Sequence, residues 1–193
     1  MKLLIYAAGA FGQLLRRHVE HCGYEFEGFV DDATTGPDVL GTYENVRRRF
    51  PPDRHRGVVV AVGYRDLETR SMIHKRLRDD GYVLPTLVHP VAWVHPEVEL
   101  GEGTLIGAGA TVDAGARIGA LAVLWPGAIV SHDADVGENT FLSPGSIVCG
   151  SARVGRDCFV GAGAVVPDNA EVPPGTFLRA GSVAARRPSV PPN

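Results

Sequence analysis

Three places in this sequence combine residue types able to do chemistry. The first is Ser131-His132-Asp133. An imidazole can take a proton near neutral pH, and a carboxylate beside it can orient the ring and stabilise its cation. The second is Gly9-Ala-Phe-Gly12, which follows an apolar run and opens a helical pattern. Such a turn lets backbone N–H groups approach a phosphate. The third is Asp31-Asp32, where an acid at a strand end would meet a ribose hydroxyl. Each has a plain structural alternative. A lone histidine is usually a surface residue, GxxG alone is weak, and an acidic pair is also a turn. Gly63 closes a third apolar run in the same half of the chain.

The elements that must carry these residues differ between the two halves. Residues 1–88 alternate strands and helices. Lys2–Tyr6 reads as a first strand, and Gln13–Cys22 has helical spacing through Leu14, Leu15, His18, Val19 and Cys22, with Gly23 as a stop. Glu25–Val30 is a second strand. Gly57–Gly63 is a nearly continuous apolar run, as expected for a buried parallel strand. Asp66–Asp80 reads as an amphipathic helix with Leu67, Met72, Ile73 and Leu77 inward. The basic stretch Arg47–Arg56 is expected on a solvated helix end, with a phosphate site as the minor alternative. This pattern predicts a small Rossmann-like α/β domain over 1–88.

Residues 89–193 obey a different rule. From Val94 to Leu178 every sixth residue is aliphatic, fifteen in a row. Small residues such as Thr104, Ala110 and Ala116 stand two places before. Gly, Asn or Asp dominates three places after, as at Gly103, Gly109, Asp133 and Asn139. This hexapeptide repeat is the signature of a parallel β-helix. Three hexads make one triangular coil, with the aliphatic residues filling the axis. The phase never slips, so no long loop interrupts the coils.

The residue before each aliphatic one points outward, which defines three faces. One is Glu99, Arg117, Asp135, Arg153 and Glu171, with alternating sign; exposed pairs of this kind contribute only ~0–1 kcal/mol each. The second is Leu105, Val123, Phe141, Phe159 and Phe177, and the third Thr111, Ile129, Ile147 and Val165. Two apolar outer faces predict a threefold oligomer that buries them. The alternative is that the N-terminal domain or the C-terminal tail covers one.

Composition sets the outer bounds. The chain has 193 residues, 45% hydrophobic and 21% charged, with 24 glycines but only 7% aromatics. That suits many tight turns around a narrow interior. A net charge of −3 without interleaved basic and aromatic residues argues against nucleic-acid or anionic-membrane binding. No apolar run approaches the ~20 residues of a membrane span. MKLLIYAAGAFG reads as a first strand rather than a signal peptide. Cys22, Cys149 and Cys158 lack metal spacing, so a reduced, cytoplasmic protein is expected.

Several stretches carry a family resemblance: YAAGAFGQ, GYEFEGFVDD, VVVAVGY, LVHP, the hexads, IVSHDADVGENTFLSPGSIVCG and GAGAVVP. Over nearly its whole length the chain resembles the bacterial nucleotide-amino-sugar N-acetyltransferases and the related sialic-acid O-acetyltransferase-like proteins. The resemblance implies a left-handed β-helix, a homotrimer, acetyl-CoA as co-substrate bound between adjacent helices, and no metal. It implies a nucleotide-linked amino sugar held by Gly9, Gly12, Asp31, Asp32 and Gly63. It implies His132 as general base, Asp133 as its partner, and Gly150 as an oxyanion donor one coil along the same corner, although that residue also reads as a turn glycine. Gly161, Ala162 and Gly163 would accommodate the pantetheine arm. Arg179, Arg186 and Arg187 would meet the coenzyme phosphates, or simply form a soluble tail.

The chain departs from the family pattern at three positions. Gln13 stands where a histidine usually follows the GxxG glycine. Phe141 replaces a second histidine that contacts acetyl-CoA, and Trp125 replaces an asparagine that places the sugar. Phe141 extends an aromatic ladder, so a structural role is equally open to it; the Trp125 indole could stack on a sugar. These departures keep two alternatives in view: O-acetylation of a sialic-acid-like sugar, and non-catalytic nucleotide-sugar binding. A zinc hydratase of the γ-carbonic-anhydrase kind is set aside. It needs three converging histidines, and the regular coils hold only His132.

Overall fold

The computed structural model describes residues 1–185. The chain divides into two compact units, Met1–Leu87 and Val88–Asn193.

The first unit is built on four parallel strands, β1 (Lys2–Tyr6), β2 (Glu25–Val30), β3 (Val39–Gly41) and β4 (Arg56–Val60), in the order β3-β2-β1-β4. Leu3, Leu4, Ile5, Phe29 and Val58–Val60 are buried, as a sheet covered on both faces requires. Helix α1 spans Ala10–His21, three residues earlier than its apolar spacing predicts, because Gly9 is the N-cap and Ala10–Gly12 form its first turn. Helix α2 (Tyr43–Arg49) starts at Thr42, whose hydroxyl accepts the Asn45 N–H, and ends on Arg47–Arg49, which suits the helix dipole. Helix α3 (Leu67–Asp79) is capped by Asp66, whose carboxylate accepts the Thr69 N–H at 3.0 Å. The buried face of α3 matches the expected one only in part: Leu77 is buried, and Leu67 and Ile73 are half-buried. Arg70, His74 and Leu77 face inward at i, i+4, i+7 spacing, while Met72 is 58% exposed. Arg56 is no part of a solvated helix end. It opens β4 and forms ion pairs with Glu27 at 2.5 Å and Asp53 at 2.7 Å.

In the second unit each of the fifteen aliphatic residues ends a two-residue strand, and Leu87–Val88 adds one strand before them. The strands stack at 18-residue intervals into three parallel sheets. The axis holds Ile106, Val112, Ile118, Leu124, Val130 and their successors, interleaved with Ala110, Ala116, Ala122 and Ala128. The turns follow one geometric rule. Residues 103, 109, 115 and so on to 181 all have φ between 56° and 71°. Glycine takes eight of these positions, and Asp133, Asn139, Asp157 and Asn169 take four. Leu121 and Ser151 fill the other two at φ 61° and 56°. An L-residue pays roughly 1–2 kcal/mol in this region. Ser151 is exposed, so Ser151→Gly relieves that strain without losing burial. It should stabilise the protein by about 0.5–1 kcal/mol after the entropy of glycine in the unfolded chain. A thermal melt no higher than wild type would contradict this account of the turn.

The three outer faces are unlike one another. On the charged face Asp135 pairs with both vertical neighbours, Arg117 at 3.0 Å and Arg153 at 3.7 Å. On the aromatic face Leu105, Val123 and Phe141 are already buried within the single chain. Only its far end is open: Phe159 and Phe177 stack at 4.7 Å, and Phe177 is 62% exposed. Of the two apolar faces, therefore, only the third is outward over its length. Its column runs Trp93, Thr111, Ile129, Ile147, Val165 and Val183 in strict register. Among the described residues no helix is long and apolar enough to cross a membrane.

Candidate functional site

His132 stands at a corner of the coil, between the strands Ile129–Val130 and Asp135–Val136. Its backbone is held from both sides. Its carbonyl accepts the Ser151 N–H at 3.0 Å, and the neighbouring Asp133 N–H donates to the Ala114 carbonyl at 3.0 Å. The side chain is 62% exposed, so it is presented outward rather than packed. Its Nδ1 lies 3.0 Å from Asp133 Oδ2, which leaves Nε2 as the working nitrogen. The Asp133 hydrogen bond raises the imidazole pKa above the usual 6.5; slight loss of solvation opposes this, and the charges of Asp133, Asp113 and Asp168 add to it. Asp133 also meets the backbone demand of this corner. Its φ of 57° is one that aspartate tolerates.

Gly150 lies directly along this corner. A Cβ there would sit 2.7 Å from His132 Nε2, so any side chain at this position would push the exposed ring aside. Its N–H donates to Asp168 Oδ1 at 3.1 Å. The amide expected to receive an oxyanion is thus engaged by a carboxylate of the chain itself. Asp168 is a residue that sequence reasoning missed. The signal was present, since the 18-residue step from His132 to Gly150 lands next on Asp168.

The remaining predicted residues of the second unit separate clearly. Trp125 is a half-buried corner residue whose N–H donates to the Leu142 carbonyl at 2.8 Å. Phe141 is 1% exposed, so it packs inside the chain and offers no surface to a coenzyme. Gly161 is glycine for packing, since a Cβ would lie 2.4 Å from the Ala180 backbone nitrogen. Ala162 is exposed and accepts the Gly181 N–H at 2.8 Å; Gly163 takes the turn conformation with open space around it. Arg179 is exposed. Arg186 and Arg187 lie outside the described residues.

The first unit has a cleft of about 400 Å³ above the carboxyl end of β1, lined among others by Tyr6, Asp31, Asp32, Met72 and Arg76. The strand order places this cleft beside the switch point of an open parallel sheet, where such folds bind ligands. The two acids are less available than their position suggests. Asp31 accepts N–H groups of Ala8, Ala33 and Thr34 at 2.8–2.9 Å. Burial pushes its carboxyl up, but these bonds outweigh it and hold the group below the usual range. Asp32 accepts from the Tyr6 hydroxyl and from the Tyr43 N–H. Both carboxylates therefore fix the loop as well as border the cleft. Gln13 likewise turns to the loop, its Nε2 donating to the Ala8 carbonyl at 3.2 Å.

The glycines differ too. Gly12 is buried, and a Cβ there would lie 2.1 Å from the Ala7 carbonyl oxygen, so its small size serves helix–loop packing. Gly9 and Gly63 have nothing within 4 Å of a Cβ, so their backbones are open to approach. Arg76, at the rim, stacks its guanidinium 4.0 Å from the Tyr43 ring centroid and pairs with Glu44.

Residues 133–168 match the family model for the bacterial transferase hexapeptide (six repeats). No curated protein matches the chain. Among solved structures, the acetyltransferase domain of PglB from Neisseria gonorrhoeae is 28% identical, with 95% of this chain and 91% of that one covered at a TM-score of 0.86. The same domain in complex with acetyl coenzyme A is 27% identical, covers 95% and 90%, and has a TM-score of 0.83. A mutant of perosamine N-acetyltransferase from Caulobacter crescentus, in complex with CoA and GDP-perosamine, is 27% identical over 93% of each chain, with a TM-score of 0.74. The second unit is accordingly a left-handed parallel β-helix, and the first a Rossmann-like α/β unit. The chain carries bacterial transferase hexapeptide repeats and resembles, over nearly its whole length, the nucleotide-amino-sugar acetyltransferases.

Proposed function

We propose that this protein is an acetyl-CoA-dependent N-acetyltransferase acting on the amino group of a nucleotide-linked amino sugar. The observation that carries the reading is the His132 corner: Asp133 holds Nδ1, and Nε2 faces outward over Gly150. The similarity to solved acetyltransferases supports acyl transfer as the reaction type. The acceptor amine attacks the thioester carbonyl carbon, and a C–N bond forms. His132 Nε2 takes the amine proton, and Asp133 steadies the imidazolium. The C–S bond then breaks, and the imidazolium returns a proton to the departing coenzyme thiolate. Gly150 N–H is the candidate donor to the thioester oxygen, and Asp168 must release it for that role. The cleft beside Tyr6 and Asp32 is the candidate nucleotide site, and the open backbone of Gly9 is a candidate approach for its phosphates. The open apolar column from Trp93 to Val183 supports a homotrimer with acetyl-CoA bound between adjacent coils.

The test is a screen of nucleotide 3-amino and 4-amino sugars with acetyl-CoA, following free thiol. Thiol release with an amino sugar, and none with its hydroxy counterpart, is the expected result. Release only with a sialic-acid-like sugar would move the reaction to O-acetylation, and no release with any acceptor would overturn the enzyme reading. Light scattering should give about three times 20.5 kDa. A monodisperse monomer at micromolar concentration would remove the trimer.

A further inference from the structure

The corner that carries His132 continues through the coil as Gly150 and then Asp168, at 18-residue steps. Gly150 leaves a space that both neighbours enter. The point where its Cβ would sit lies 2.7 Å from His132 Nε2 and 3.4 Å from Asp168 Oδ1. In the resting site the Asp168 carboxylate is held there, because Oδ1 accepts the Gly150 N–H at 3.1 Å; when the thioester oxygen takes that N–H, the carboxylate is freed toward Nε2. Asp133 meanwhile occupies the opposite ring nitrogen at 3.0 Å. The imidazole therefore has one carboxylate on Nδ1 and a second on the side where Nε2 works.

Resting on the reading of His132 as the base, we propose that Asp168 is a positioning residue for proton transfer, stabilising the Nε2–H of the imidazolium once the acceptor's proton has arrived. A proton on Nε2 turns that nitrogen into a donor, and the nearest side of the ring's surroundings is the space Asp168 shares. The charge that develops on the ring is then flanked rather than held from one side. Three carboxylates act on the ring: Asp133 on its own turn, Asp113 on the coil before, and Asp168 two coils beyond. Asp113 is already committed locally, its Oδ1 accepting the Ala114 N–H at 2.7 Å. Asp168 alone among them reaches the ring across Gly150, which gives a second reason for glycine at that position.

Asp168→Asn separates charge from architecture. The amide keeps an Oδ1 acceptor for the Gly150 N–H and loses only the negative charge. In the full-length protein, without any substrate, an NMR titration of the His132 ring should move to lower pH than in wild type. The His132 signal is the one missing from His132→Asn. In turnover with acetyl-CoA, the plateau kcat should fall about five- to tenfold, with the KM for acetyl-CoA unchanged and the acid limb shifted to lower pH. Asp168→Glu, which retains the charge, should keep the titration near wild type. An unchanged His132 titration in Asp168→Asn would overturn the proposal, whether or not the protein turns over any acceptor. A wild type that releases no thiol, with the titration shifted as expected, would instead fault only the acyltransferase reading. If Asp168→Asn does not fold, Asp168→Ser removes the same charge and decides the question by the same titration.

Discussion

His132→Ala should lower turnover by about 10²–10⁴-fold, the span a positioned general base usually contributes. Acetyl-CoA affinity should barely change, because the lost interaction belongs to the transition state and not to the bound coenzyme. The fold should hold, since the side chain is exposed and the backbone bonds to Ser151 and Ala114 need no imidazole. The pH dependence carries the sign. A base works unprotonated, so the rate falls as pH drops through its pKa. Asp133 raises that pKa, so the acid limb lies above the 6.5 of an ordinary histidine. Asp133→Gly is the informative companion. Its φ of 57° suits glycine, so the turn survives, the carboxylate goes, and the limb should shift to lower pH with a reduced plateau. If His132→Ala keeps more than about a third of wild-type turnover with the true acceptor, far outside the range above, His132 is only a corner residue.

Gly12→Val should cost the first unit about 3 kcal/mol or more. A Cβ at this position would meet the Ala7 carbonyl oxygen at 2.1 Å and the Phe29 ring at 3.3 Å, before the two extra methyls are placed. Ala7 cannot easily retreat, because it already holds φ at 84°. Overpacking of this kind typically costs 1–3 kcal/mol, and a backbone partner gives way less readily than a side chain. Hydrogen exchange should accelerate at β1 and β2, with the Val130 and Val148 amides unaffected. Loss of nucleotide-sugar binding in this variant would therefore report on folding, not on a blocked phosphate. Gly9→Ala is the better probe, since its Cβ enters open space at φ −65° and leaves stability nearly untouched. Wild-type exchange at β1 in Gly12→Val would show that the loop yields after all.

The β-helix was legible residue by residue because its axis admits one solution at every coil. An aliphatic residue must fill it every six positions, and the turn between must accept a positive φ. Leu121 and Ser151 break the turn chemistry without breaking the coil, since the stacked coils above and below impose the conformation. What the outer faces meet was not legible. Phe141 reads as one more outward aromatic, and only tertiary packing decides that it is buried. The α3 face is legible only at Leu77, for a related reason. Arg70 and His74 are polar and so leave no apolar periodicity, yet they are the buried ones. The short β3 and α2 are three and seven residues long, too brief for a periodic signal. At the site, His132 and Asp133 were legible as chemistry. Gly12, Asp31 and Asp32 look the same in sequence whether they greet a ligand or hold their own loop, and only the distances separate the two.

The unbroken turn rule also governs which changes in length this chain can survive. Removing one hexad keeps every aliphatic residue on the axis, so the coil itself would still close. Everything outward would turn by one face. Without residues 137–142, Arg153 would stack on Ile129 in the apolar column, and Phe159 on Asp135 in the charged one. Arg156 would arrive beneath His132 in place of Gly150, filling the space the ring needs. Only a whole coil of eighteen residues can be gained or lost without scrambling the surface. Length variation in this architecture is quantised, and the quantum is set by the number of faces, not by the repeat.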